Sequence, residues 1–135
     1  MHATPELHHF VRQTLGCGCP DSVFESVRIE RAPLLPGDAH TAWWIEIGGR
    51  LLIAVCDDAP GFATRLPEVF EAARTRRDAT GFNRFRLVVV VTPATDSAAL
   101  ERAFAPIGAA DDRLHLHPIE PARLPPLTAT ETATA

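Results

Sequence analysis

The chain has 135 residues, 46% of them apolar and 22% charged, a composition that suits one globular domain with a real hydrophobic core. Thirteen basic against seventeen acidic side chains leave a net charge of −4, so the general attraction to nucleic acid or an anionic membrane is missing and neither is expected as a partner. Every basic side chain is Arg and there is no Lys, which excludes lysine Schiff-base and lysine general-base catalysis.

No basic-then-apolar leader opens the sequence, and no apolar run nears the roughly 20 residues of a membrane helix. Three cysteines are an odd number, ill suited to a secreted disulfide framework. The expected compartment is therefore the cytoplasm, where thiols are kept reduced.

Thr4-Pro5-Glu6 predicts a helix start, with Thr as N-cap, Pro at the first helical position and an acid in the first turn. Leu7, Phe10, Val11 and Leu15 follow at helical spacing, and Gly16 can supply the left-handed stop. Cys19-Pro20-Asp21 restarts a short helix with Val23, Phe24 and Val27 inward. Ser26–Arg31 alternates Val27 and Ile29 with Arg28 and Glu30, the pattern of a half-exposed strand.

His40–Ile47 and Arg50–Cys56 predict a hairpin closed by Gly48-Gly49, with Ile47 opposite Arg50 and Ile45 opposite Leu52. Both of its faces are apolar, so these strands are expected to be covered on both sides. Leu66–Ala79 reads as a helix with Pro67 in its first turn. Arg86–Thr92, with four consecutive valines, reads as a buried strand, and Asp96–Ile107 as a helix closed by Gly108. Asp112–Pro118 alternates Leu114 and Leu116 with Arg113, His115 and His117, an edge strand with one wet face.

The expected fold class is α/β or α+β: a mixed five-stranded sheet flanked by helices, in the order α-β-β-β-α-β-α-β. One globular domain is expected over residues 1–120. Residues 121–135 are low in complexity and are expected to be a disordered tail. The α-β-β-β-α-β succession over residues 5–92 resembles the restriction-endonuclease-like arrangement. That family carries an acid followed two residues later by Lys on the third strand. Here the strand reads Arg50-Leu51-Leu52-Ile53-Ala54-Val55-Cys56 and has neither, so the resemblance concerns element order and brings no nuclease chemistry with it.

The chemistry-bearing feature is Gly16-Cys17-Gly18-Cys19-Pro20-Asp21, two thiols one residue apart in a chain that is poor in cysteine. At a helix start Cys19 would gain thiolate character from exposed amides, opposed by the neighbouring Asp21. A fall in thiol pKa from about 8.5 to about 7 raises the ionised fraction at neutral pH from about 3% to about half. Residues two apart can meet disulfide geometry, and the two glycines supply the backbone freedom. Cys17 and Cys19 are thus the candidate catalytic pair, with Cys19 the stronger nucleophile; the alternative is that two small cysteines pack against the core.

A metal site needs further ligands, drawn from Cys56, His115 and His117, with His8 and His9 on the first helix as further candidates, of which His8 can reach the end of the first turn. Zinc or an iron–sulfur cluster would be the cofactor, and no cofactor at all is the competing expectation. Cys56-Asp57-Asp58, Thr92-Pro93 and His117-Pro118 lie at the carboxyl ends of the predicted parallel strands, where ligands gather in α/β sheets. Arg74, Arg76, Arg77, Arg84 and Arg86 form a basic segment interleaved with Phe82 and Phe85, a candidate anion or nucleic-acid surface. Two functions are expected: a small thiol-based protein, metal-binding or redox-active, or a non-catalytic interaction module whose partner is a protein or a second copy.

Overall fold

The hairpin that the sequence marks most plainly forms the middle of the sheet. In a computed structural model that describes residues 3–130, β2 (Thr41–Ile47) pairs antiparallel with β3 (Leu51–Asp57), with Ile45 opposite Ile53 and Trp44 opposite Ala54. The expected two-residue turn is instead the three-residue loop Gly48-Gly49-Arg50, so Ile47 faces Leu51 rather than Arg50. Both glycines are left-handed (φ 59° and 65°), and the Arg50 amide donates to the Ile47 carbonyl at 3.0 Å. Gly48 has a second constraint. A Cβ there would stand 2.6 Å from the Val23 carbonyl oxygen, so only glycine lets the short helical turn Asp21–Glu25 sit against this loop.

β1 (Val27–Pro33) pairs antiparallel with β2, while β4 (Arg84–Val90) and β5 (Leu114–Ile119) add in parallel beyond β3. The sheet order is β1-β2-β3-β4-β5, the mixed five-stranded α/β arrangement expected from the alternating elements. The parallel connections are α2 (Phe62–Thr80) and α3 (Ser97–Ala110). α2 begins a turn before the expected Leu66, because the Phe62 amide donates to Ala59 and the Thr64 hydroxyl to the Gly61 carbonyl. Pro67 is therefore inside the helix rather than in its first turn. α3 runs through Gly108 instead of stopping there; a Cβ at that position would meet the Phe104 ring at 2.7 Å.

Strand alternation divides the interior into two layers. Trp44, Leu52, Phe85 and Leu87 face α2 and α3, where Phe70 meets Phe85 edge-on with ring centroids 5.7 Å apart, a contact worth about 1 kcal/mol beyond its buried area. Ile45, Ile53, Val55 and Val88 face the opposite way, towards α1 (Pro5–His9), the wider helical turn Phe10–Thr14 and the Asp21–Glu25 turn.

The segment expected to be disordered is placed on this second layer as far as residue 130. Pro121–Arg123 make one helical turn, and Leu124 and Leu127 pack against the layer. The Thr130 amide donates to the Ile29 carbonyl at 2.8 Å, and its Oγ1 accepts from the Ile29 amide at 3.2 Å. Prolines in the segment lower the chain entropy that this ordering costs. Residues 131–135 lie outside the described residues. Among the described residues no helix is long and apolar enough to cross a membrane.

Candidate functional site

The Cys17–Cys19 turn is set up by the end of the first helix. Thr4 caps α1, its Oγ1 accepting from the Leu7 amide at 3.2 Å. The helix then widens: the Leu15 amide donates to Phe10 and the Cys17 amide to Val11, both at 3.0 Å. Gly16, at φ 74°, reverses the chain. Cys17 and Cys19 come next, both half-buried, and are joined as a disulfide with Cα atoms 5.4 Å apart, inside the usual range for such a bond.

Cys19 is not a helix N-cap. Pro20 holds that position and opens a single five-residue turn, Asp21–Glu25, too short to offer an aligned dipole. The opposing charge of Asp21 is also answered. Arg12 pairs with its carboxylate at 2.9 Å, His8 approaches it at 3.4 Å, and Arg12 donates as well to the Cys19 carbonyl. His8 stacks on Phe24 with ring centroids 4.0 Å apart, so it is committed to this loop.

The source of positive charge is β4. Arg84 and Arg86 share a face with Val88, because residues two apart on a strand point the same way. With Arg50, Asn83, Leu51 and the cysteine turn they border a groove of about 280 Å³ at the amino ends of β3 and β4. Arg86 is 7% exposed. One of its terminal nitrogens donates to the Leu15 carbonyl at 2.9 Å and lies 3.0 Å from His117 Nε2. Arg84 lies 3.0 Å from His115 Nε2 and donates to the Asp112 carbonyl at 3.1 Å.

A guanidinium cannot accept a hydrogen bond, so both imidazoles present Nε2 as acceptor and carry their proton on Nδ1. Burial, then the Arg86 charge, lowers both imidazole pKa values to about 4, so both rings are neutral at pH 7. Burial, reinforced by Arg84, also lowers the Arg86 pKa. The resulting field is positive without a compensating carboxylate on the groove, and a thiolate is favoured in such a field.

The five residues expected to share a metal do not converge. Cys17 and Cys19 pack with the layer under α1, whereas Cys56 is 3% exposed in the α2 layer on the other side of the sheet. Burial, with Asp57 and Asp58 next, pushes the Cys56 thiol up to about 12. The Nε2 lone pairs of His115 and His117 face guanidinium groups, and His9 is exposed on α1. Among the described residues no three His, Cys, Asp or Glu side chains are grouped for a metal ion.

The carboxyl ends of the parallel strands do not assemble a site either. Cys56 points into the core, the Asp58 amide donates to the Val90 carbonyl at 3.0 Å, and His117 pairs with Val88 in mid-strand. The basic segment divides as well. Arg74 pairs with Glu71, Arg76 with Glu30 and Glu46, and Arg77 with Asp78 and Asp111, all in the α2 layer; Arg84 and Arg86 lie across the sheet.

Sequence reasoning missed Arg12 and Arg50, which come from distant parts of the chain. It saw Arg86 only as one of a run. The signal was present in β4: Phe85, Leu87 and Val89 form one apolar face, so Arg84 and Arg86 precede Val88 on the other. No known protein family, no curated protein and no solved structure matches the chain.

Proposed function

We propose that the protein is a small dithiol–disulfide protein whose Cys17 and Cys19 exchange two electrons with the thiols of a partner. What carries the reading is the close sulfur pair on the rim of a groove bordered by arginines and free of carboxylates. The third cysteine is buried and its thiol is held protonated, so it takes no part.

In the oxidising direction the Cys19 thiolate attacks one sulfur of a partner disulfide. A Cys19–partner bond forms, the partner S–S bond breaks, and one partner thiolate leaves with the electron pair. The Cys17 thiolate then attacks the Cys19 sulfur, closes the intramolecular bond and releases the second partner thiolate. The partner is reduced by two electrons, and the two protons lost by the cysteines are available to the two thiolates released.

Cys17→Ser tests the scheme. After reaction of the reduced protein with a small aromatic disulfide, mass spectrometry should show a lasting mixed disulfide on Cys19 in the variant. The wild type should pass through that adduct to the closed pair. A wild type that keeps both thiols free under excess disulfide contradicts the reading.

A further inference from the structure

We infer that the groove between the cysteine turn and the amino ends of β3 and β4 is an anion site, holding the carboxylate or phosphate of a small thiol or disulfide beside Cys17 and Cys19. The inference deepens the dithiol reading by naming the substrate class, and the anion site itself can be tested apart from it.

Three arginines reach the groove from two elements, Arg50 from the hairpin loop and Arg84 and Arg86 from β4. None of the three joins an ion pair among the described residues, although seven other arginines do. No Asp or Glu lines the groove. Arg86 carries the strongest evidence. It is 7% exposed, its terminal nitrogen meets only a carbonyl and a neutral imidazole, and its Nε has no hydrogen-bond partner.

A buried cation without a counter-charge costs several kcal/mol, and an unpaired donor adds to that cost. The difference lies in the charge: the other buried arginine, Arg77, also leaves a terminal nitrogen without a hydrogen-bond partner, but it has two carboxylates. An incoming carboxylate or phosphate would supply the missing charge, and guanidinium groups suit both. Asn83 adds an amide on the same rim. A volume of about 280 Å³ is at the small end for ligand pockets, which fits an anionic group and a short stem rather than a folded partner.

The kinetic test compares two probe disulfides on the reduced protein, the dicarboxylate dithiobis-nitrobenzoate and the uncharged dithiodipyridine. Each rate is divided by that of dithiothreitol with the same probe, which removes intrinsic reactivity. The normalised ratio of anionic to neutral probe should be about tenfold in favour of the anion at low salt. In the Arg50→Gln, Arg84→Gln double variant it should fall to near unity; thiolate loss affects both probes alike and cancels. A ratio near unity in the wild type, or one that survives the double substitution, overturns the inference.

The second arm uses the oxidised protein and no sulfur chemistry. Inorganic phosphate and malonate are titrated separately, with amide shifts read by NMR. Saturable shifts at Gly18 and Asn83, lost in the double variant, support the site, and the tighter of the two anions identifies phosphate or carboxylate as its ligand. Absence of saturable shifts with both anions overturns it. Anion binding without thiol exchange would end the dithiol reading and leave the site standing. Exchange without anion preference or binding would do the reverse.

Discussion

Arg77 and Arg86 are buried to nearly the same degree, 5% and 7% exposed, yet the chain treats them in opposite ways. Arg77, near the end of α2, is met by Asp78 at 2.9 Å and Asp111 at 3.0 Å. Burial lowers its pKa, but the hydrogen bonds it donates to Asp111 and Asp78 together outweigh burial and the net shift is upward. Arg86 has a carbonyl and an imidazole instead, and its shift is downward. One cation is used to fasten α2 to the chain entering β5. The other is held, at a cost in stability, beside a pair of sulfur atoms. A buried charge that is neutralised serves the architecture; one that is left uncompensated is the observation on which the proposed anion site rests.

The sharpest break of this comparison is substitution of each arginine by Met. Arg77→Met leaves the half-buried Asp111 without its partner, and should lower unfolding stability by about 3 kcal/mol in a urea titration. An effect below about 1 kcal/mol would mean that the pair contributes little.

Acid should separate the two sides next. The folded-state pKa values of His115 and His117 lie near 4, below the ordinary 6.5. Protons therefore bind the unfolded chain first. The stability held by the neutral rings is complete above about pH 6.5 and is lost progressively as pH falls towards 4. At pH 5 the loss should be about 2 kcal/mol for the pair, allowing for solvent screening of partly exposed rings. A His115→Gln, His117→Gln variant should lose much less over the same window.

Asp111 behaves in the opposite sense. Its hydrogen bond from Arg77 depresses its pKa below 3.8, so the ion pair should persist through that window and fail only as pH drops below about 3.8. Equal acid sensitivity of the wild type and the double His variant between pH 7 and 5 would contradict the assignment.

The smallest stability effect is expected at Arg86→Met. The change frees the Leu15 carbonyl but removes a desolvated charge, and the net result should stay within about 1 kcal/mol. A loss as large as that of Arg77→Met would make Arg86 a clamp for the first helix and dissolve the contrast.

How much of this was legible in the sequence depends on distance along the chain. The hairpin, the valine strand and the order of elements follow from local alternation and glycine placement, and the sheet forms accordingly. The one-residue register shift was not legible, because it depends on Gly48 packing under Val23, which belongs to another element. The packing of residues 121–130 was not legible for a related reason: Leu124 and Leu127 look sparse in sequence, but they have the layer under α1 to pack against.

For the site, the cysteine pair was visible from its spacing. Its electrostatics were not. Arg74 to Arg86 read as one basic stretch, but the chain turns at Gly81 and enters β4, and strand alternation then sends Arg84 and Arg86 to the other face of the sheet. The carbonyl that receives Arg86 belongs to Leu15, 71 positions away. No local pattern encodes that contact.

On the proposed function, the arginine-bordered groove makes the reduced sulfur pair ionise readily. Ultraviolet thiolate absorbance of the reduced protein against pH, with Cys17→Ser, Cys19→Ser and Arg84→Gln beside the wild type, measures it directly. The first thiolate midpoint should lie below that of an ordinary thiol, be absent from the Cys19→Ser protein and be raised in Arg84→Gln. A wild-type midpoint at or above pH ~8.5, unmoved by the arginine substitution, would contradict it.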